Sequence, residues 1–178
     1  VFLLNPSGVL FAPSARVEAG GLVASSLRLS DAHFLNQNYQ FTASGTQGDI
    51  TNQGEIRAGQ IALLGARVRN QGSLFAPQGS VALAAGDAVR LDLGGDGLIQ
   101  ATVTQAAAQA LAENTGRIQA TGGRVSLSAK TKGDALATAV NTDGLIQAHG
   151  ARAAEGRIFL DAGDTGRVQA AGTLDVSN

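Results

Sequence analysis

A short phrase returns along most of this chain, and a repeated phrase decides architecture before any single residue does. Asn114-Thr115-Gly116-Arg117-Ile118-Gln119-Ala120 reads as a tight turn and a short alternating strand. Gly123-Arg124-Val125-Ser126-Leu127-Ser128-Ala129 reads as a second turn and a second strand. The same pattern occurs at Asn52-Gln53-Gly54-Glu55-Ile56-Arg57-Ala58 with Gln60-Ile61-Ala62-Leu63, and at Asn70-Gln71-Gly72-Ser73-Leu74-Phe75-Ala76 with Gly79-Ser80-Val81-Ala82-Leu83-Ala84. Asp96-Gly97-Leu98-Ile99-Gln100-Ala101 recurs letter for letter as Asp143-Gly144-Leu145-Ile146-Gln147-Ala148, and Thr165-Gly166-Arg167-Val168-Gln169-Ala170 is a degenerate last copy.

Each unit offers short strands with one apolar face, which a single coil cannot bury. Stacking coils at the inter-strand spacing of about 4.8 Å pairs every backbone amide with the coil above and below. The apolar residues then form an internal column, and Arg, Gln, Ser and Glu at intervening positions face out. The expected fold is therefore all-β: a right-handed parallel β-helix spanning residues 1–178 as one domain. At about 20 residues per coil it would have roughly eight coils and a length on the order of 40 Å. Asn52, Asn70, Asn114 and Asn141 are expected at corners, where a side-chain amide bonds backbone groups and stacked amides bond one another along the rod.

In chain order, Asn5-Pro6-Ser7-Gly8 is a turn between two apolar strands, since Pro presets one dihedral and Gly accepts a positive φ. Two further strands, broken at Gly20-Gly21, complete one coil. Asp31 to Asp49 carries Phe34, Tyr39 and Phe41 among polar residues without a repeat phrase, so it reads as an extra-helical hairpin laid against the stack. Thr102 to Ala112 contains an Ala-rich run of strong helix formers and reads as either a short helix or a surface strand or loop. Asp134 to Val140 is a weaker second case.

Charged residues make up 15% of the chain, against about 25% in ordinary domains, and the net charge is −1. Nucleic acid is thus not an expected partner. Cysteine is absent, which removes disulfides, thiol nucleophiles and zinc knuckles. No apolar run approaches the roughly 18–20 residues of a membrane span. The chain starts at Val1 and holds no Met, so it reads as a piece of a longer protein whose leader would lie elsewhere.

Parallel β-helices also host carbohydrate-active enzymes, which need two carboxylates facing one bond. Asp87, Asp92, Asp96, Asp161 and Asp164 mostly lie beside Gly at turns. Asp161 and Asp164 with Arg157 are the candidates weighed, and corner placement accounts for them without chemistry. His33 and His149 lack metal-ligand spacing and read as solvated loop residues. Gly94-Gly95-Asp96-Gly97 has no Lys-Ser/Thr after it and is not a phosphate loop. No catalytic residue, cofactor or metal is expected. Arg16, Arg57, Arg67, Arg69, Arg117, Arg124, Arg157 and Arg167 alternate with apolar residues; they form either a solvated face or an outward basic stripe for an anionic partner such as a glycan.

Asn5-Pro6-Ser7-Gly8-Val9 followed by Gly20-Gly21-Leu22-Val23-Ala24-Ser25-Ser26-Leu27 resembles the secretion (haemagglutination-activity) domain of filamentous haemagglutinin-like exoproteins of two-partner secretion. That family carries Asn-Pro-Asn-Gly-Ile and then Gly-x-x-Ala-Ser-Thr-Leu; Ser7, Val9 and Ser26 are this chain's departures. The resemblance implies a monomeric β-helix secreted to the surface or exterior of a Gram-negative bacterium. It also implies recognition by the periplasmic modules of an outer-membrane transporter, with Asn5, Pro6, Ser7 and Gly8 as the secretion-motif turn. A second family motif, Asn-Pro-Asn-Leu, is absent here and is expected upstream with an N-terminal cap. The rival readings are a module that binds a host glycan or protein directly, and a carbohydrate-active enzyme.

Overall fold

The structure, a computed structural model, describes residues 1–77, 79–93, 98–132, 138–149 and 156–177. β1 (Phe2–Leu4), β2 (Val9–Phe11) and β3 (Arg16–Ser25) open the stack, after which α1 (Asp31–Leu35) and β4 (Tyr39–Thr42) leave it. β5 (Ile50–Asn52) and β6 (Glu55–Gly65) make the next coil, followed by β7 (Arg67–Asn70), β8 (Ser73–Phe75) and β9 (Ser80–Ala85). The chain leaves again through β10 (Ala88–Asp92) and β11 (Gln100–Gln105). It returns as β12 (Leu111–Asn114), β13 (Arg117–Gln119) and β14 (Arg124–Ala129). β15 (Thr138–Thr142), β16 (Leu145–Gln147), β17 (Arg157–Asp161), β18 (Arg167–Ala170) and β19 (Thr173–Asp175) complete the rod.

One side of the rod is a six-stranded parallel sheet, β2-β5-β7-β12-β15-β18. A 10-stranded parallel sheet wraps the rest, with β3 and β6 running unbroken around a corner that later coils divide between two strands. This is the expected all-β parallel β-helix. It is shorter than the expected eight coils: six stacked strands on one side make a rod of about 25 Å. The difference lies in the two excursions, whose residues add no rungs.

Register explains the repeat. Val17, Ile56, Leu74, Ile118, Ile146 and Leu174 occupy one column, each opposite the next. Leu22, Ile61, Val81, Val125 and Ile158 make a second, and Val9, Ile50, Val68, Ala112, Val140 and Val168 a third. The middle members are fully buried, and a Leu or Ile withdrawn from water in this way contributes about 2 kcal/mol.

The excursions meet each other. β4, β10 and β11 form a three-stranded antiparallel sheet in the order β11-β10-β4. Its Phe41, Val89, Leu91, Ile99 and Val103 cover the outward side chains Val23, Ala62, Leu64, Ala82 and Ala84, making a second apolar core outside the rod. Hence β9 is buried at every residue and lacks the polar outward face expected of it; strands covered on both sides lose alternation.

One expectation needs correcting here, and one open alternative is decided. Asp31–Asp49 is no hairpin: Ser30 Oγ accepts from the His33 amide (3.2 Å) and caps the five-residue α1, and β4 finds its partner in β10, far along the chain. Thr102–Ala112 is not helical but is divided between β11, a turn and β12. Its Ala107, Ala110 and Ala112 are buried in the rod, so tertiary packing overrides their helix propensity. Of the weaker case, residues 134–137 lie outside the described residues and 138–140 belong to β15.

Candidate functional site

The Asn5–Gly8 turn projects where the stack begins. Asn5 Oδ1 accepts from the Ser7 amide (3.1 Å), and the Gly8 amide donates to the Asn5 carbonyl (2.9 Å). Gly8 has φ of 101°, the left-handed region that glycine tolerates. The turn is tied to the returning excursion: the Gly48 amide donates to the Pro6 carbonyl (2.9 Å) and the Val9 amide to the Asp49 carbonyl (3.0 Å). On its other flank the Asn5 amide donates to the Ser25 carbonyl (2.9 Å). A Cβ on Gly8 would lie 2.6 Å from the Asp49 carbonyl oxygen. Asn5 and Ser7 are nevertheless exposed. The turn is fixed in backbone while its Asn5 and Ser7 side chains face solvent.

Beside it, β1 pairs with β3 and β2 with β5 among the described residues. Leu3 and Leu4 on β1 and Leu10 on β2 are exposed, between 39% and 64%.

Inside the rod, Asn52 Nδ2 donates to Asn70 Oδ1 (2.8 Å) and Asn70 Nδ2 to Asn114 Oδ1 (2.8 Å). All three are fully buried. Asn52 and Asn70 also serve their own corners: Asn52 Oδ1 accepts from the Gly54 amide (3.2 Å) and Asn70 Nδ2 donates to the Gly72 carbonyl (3.3 Å). Asn141 is not in this column. The fourth member is Thr142, whose Oγ1 lies 3.5 Å from Asn114 Nδ2 and which pairs with Asn114 in register. Asn141 instead faces out and donates to Glu113 (3.2 Å).

Glu113 belongs to a charged strip on the outer side of the same sheet. Asp49 pairs with Arg69 (2.7 Å) and Arg67 (3.9 Å), and Arg69 reaches Glu113 (3.4 Å). His149, expected as a solvated loop residue, is half-buried, with Nε2 2.9 Å from Asp175 Oδ2. The Asp175 carboxyl is held well below the usual carboxylate range, first by the Ser177 backbone amide and then by His149. A depressed folded pKa contributes stability above the ordinary value near 4, and the contribution is lost as pH falls through the lower folded value. In NMR titration Asp175 is expected to protonate below the ordinary carboxylate range, and His149→Ala to raise its midpoint; an ordinary midpoint in the parent would contradict this assignment.

The candidate catalytic carboxylates have local work. Asp161 Oδ1 accepts from the Gly163 amide (2.9 Å), closing a turn. Asp164 lies in that same turn, so corner geometry places both. His33 belongs to α1, where its amide meets the Ser30 cap.

Comparison with known proteins decides the family. The model of the TPS secretion domain matches residues 1–176. This chain belongs to that family. The heme/hemopexin-binding protein of Haemophilus influenzae is 30% identical over 175 residues, covering 92% of this chain and 19% of that protein. The crystal structure of the HMW1 secretion domain from Haemophilus influenzae superposes with a TM-score of 0.74 at 26% identity, covering 89% of this chain and 41% of that one. This TPS secretion domain thus spans about a fifth of its curated relative. The resemblance carried by Asn5–Val9 and Gly20–Leu27 is met by both. Exoproteins of this family leave Gram-negative cells through a two-partner outer-membrane route to the surface or the medium. For the TPS domain the sequence reading missed Gly48 and Asp49 as the dock of the turn, and Thr142 as the fourth ladder member.

Proposed function

We propose that the Asn5–Gly8 turn is what the periplasmic modules of the outer-membrane transporter read. The rod then templates the folding of later coils outside the cell. The observation carrying this reading is the contrast within the turn, whose backbone is bonded on both flanks while Asn5 and Ser7 stay exposed. A pre-shaped, solvent-facing turn loses little conformational entropy when a partner takes hold of it. Sequential templating follows from the register, because each coil presents a complete parallel edge to the next. The reading involves no catalytic step, and it takes residues 1–178 as one domain of a longer exoprotein.

Asn5→Ala in the full-length exoprotein is expected to lower secretion by about tenfold, a loss of one tenfold step in recognition. The protein would be retained in the periplasm. Purified transporter modules are expected to bind the parent domain and to bind the variant correspondingly less. Unchanged secretion of Asn5→Ala would remove the turn from the recognition surface. A variant that fails to fold is separated from one that fails to bind by comparing its circular dichroism and melting with those of the parent.

A further inference from the structure

On the charged strip described above, Arg67 and Arg69 are matched by Asp49 and Glu113, and Lys132 pairs with Asp87. The opposite flank differs. The outward rows of β14 and β17 lie in register as Arg124 beside Arg157, Ser126 beside Phe159 and Ser128 beside Asp161. Lys130 follows at the end of β14. Arg124, Lys130 and Arg157 have no ion-pair partner among the described residues. Asp161, the carboxylate on this floor, already holds the Gly163 amide.

The outer antiparallel sheet stops above this floor. β11 is its edge strand and packs against both β9 and β14, so its free edge forms one wall of a groove of about 390 Å³. That volume is at the small end of the range for small-molecule sites. Gln100 and Thr102 supply polar groups from the wall, and Ser126 and Ser128 from the floor. The Arg124 guanidinium carbon sits 5.5 Å from the centre of the Phe159 ring, which remains 47% exposed. Arg124 Nε and Ser128 Oγ are buried beneath the groove surface without a hydrogen-bond partner.

We propose that this groove binds an acidic saccharide, a sugar residue bearing a carboxylate. Arg124 and Lys130 outnumber Asp161 in the groove lining, and cations beside an apolar wall attract an anionic group more strongly than in open water. The exposed Phe159 ring offers a flat apolar surface to the C–H face of a pyranose, and the hydroxyl and amide groups around it match ring hydroxyls. A purely electrostatic anion site would have no use for the ring, and a purely apolar one no use for the cations. Arg124, one member of the basic alternation seen in the sequence, is thereby given a partner. The proposal does not rest on the transporter reading, and Arg124→Gln is expected to leave secretion unchanged.

The test titrates the folded domain with the hyaluronan disaccharide, one glucuronate joined to N-acetylglucosamine, and with the neutral N,N′-diacetylchitobiose. Saturable NMR shifts at Ser126, Ser128 and Phe159 are expected with the acidic sugar only. Arg124→Gln and Phe159→Ala are each expected to weaken binding by about tenfold, and added salt to weaken it further. Lys130→Gln, on a half-exposed side chain, serves as a second charge variant should Arg124→Gln perturb the fold. Equal binding of the neutral sugar, no saturable shift, or unchanged affinity in the charge variants would overturn the proposal. So would an acidic peptide that binds here where the disaccharide does not, since that outcome assigns the groove to strand addition along β11.

Discussion

Asn70→Ala is expected to destabilise the domain by about 3 kcal/mol, since a buried polar group left without its partner costs about 1–3 kcal/mol and this change affects two. Asn70 sits between Asn52 and Asn114 with a 2.8 Å bond on each side. Its removal leaves Asn52 Nδ2 with only the Gly54 carbonyl (3.2 Å) and leaves Asn114 Oδ1 without its donor. No solvent reaches this column to substitute, because all three side chains are fully buried. The measurement is a urea midpoint at unchanged slope. Asn141→Ala is the control: its part-buried bond to Glu113 is a single hydrogen bond, worth about 1 kcal/mol. Equal midpoints for the two variants would show that the internal column contributes no more than an exterior contact.

The second large effect is steric. The repeat glycines Gly54, Gly72, Gly116, Gly144 and Gly172 stack at one corner, and none is among the glycines with positive φ. Dihedral freedom is therefore not their reason. A Cβ built on Gly116 would stand 2.1 Å from the Gly72 carbonyl oxygen, and one on Gly144 would stand 2.2 Å from the Gly116 carbonyl oxygen. Backbone atoms of a paired strand cannot withdraw without widening the rung. Gly116→Ala is thus expected to cost about 3 kcal/mol or more, at the upper end of overpacking effects. Gly20→Ala has nothing within 4 Å of the new methyl and is expected to be neutral or to stabilise by up to about 1 kcal/mol through the unfolded chain. Melting temperatures of the two variants, taken together, decide whether corner space or glycine content sets the effect.

The sequence makes the rod legible because its side chains follow a strict geometric period. It makes the ladder legible at Asn52, Asn70 and Asn114 because each precedes its corner glycine by two residues. The same count back from Gly144 reaches Thr142; reading residue type instead of distance to glycine selected Asn141. The outer sheet was illegible for a different reason. Leu98-Ile99-Gln100-Ala101 and Leu145-Ile146-Gln147-Ala148 are identical, yet β11 begins at Gln100 in the outer sheet whereas Leu145–Gln147 is β16 in the rod. Residues 94–97, which complete the first copy, lie outside the described residues. A short apolar phrase fits either environment, and only the partner strand decides. The two-sided burial of β6 and β9 went unread, although Ile61-Ala62-Leu63-Leu64 and Val81-Ala82-Leu83-Ala84-Ala85 lack alternation.

That outer sheet draws β4 from one side of the β5–β9 segment and β10 with β11 from the other. A chain appearing from its N-terminus could add rungs one at a time, but it could not close the outer apolar core until Gln105 had arrived. Phe41 has no Val89 opposite it until β10 has arrived, and the core lacks Ile99 and Val103 until β11 follows. The first half of the domain is therefore a single cooperative unit imposed on an otherwise incremental solenoid, and a truncation series should show a step near Gln105, with proteolytic resistance absent before it and present after.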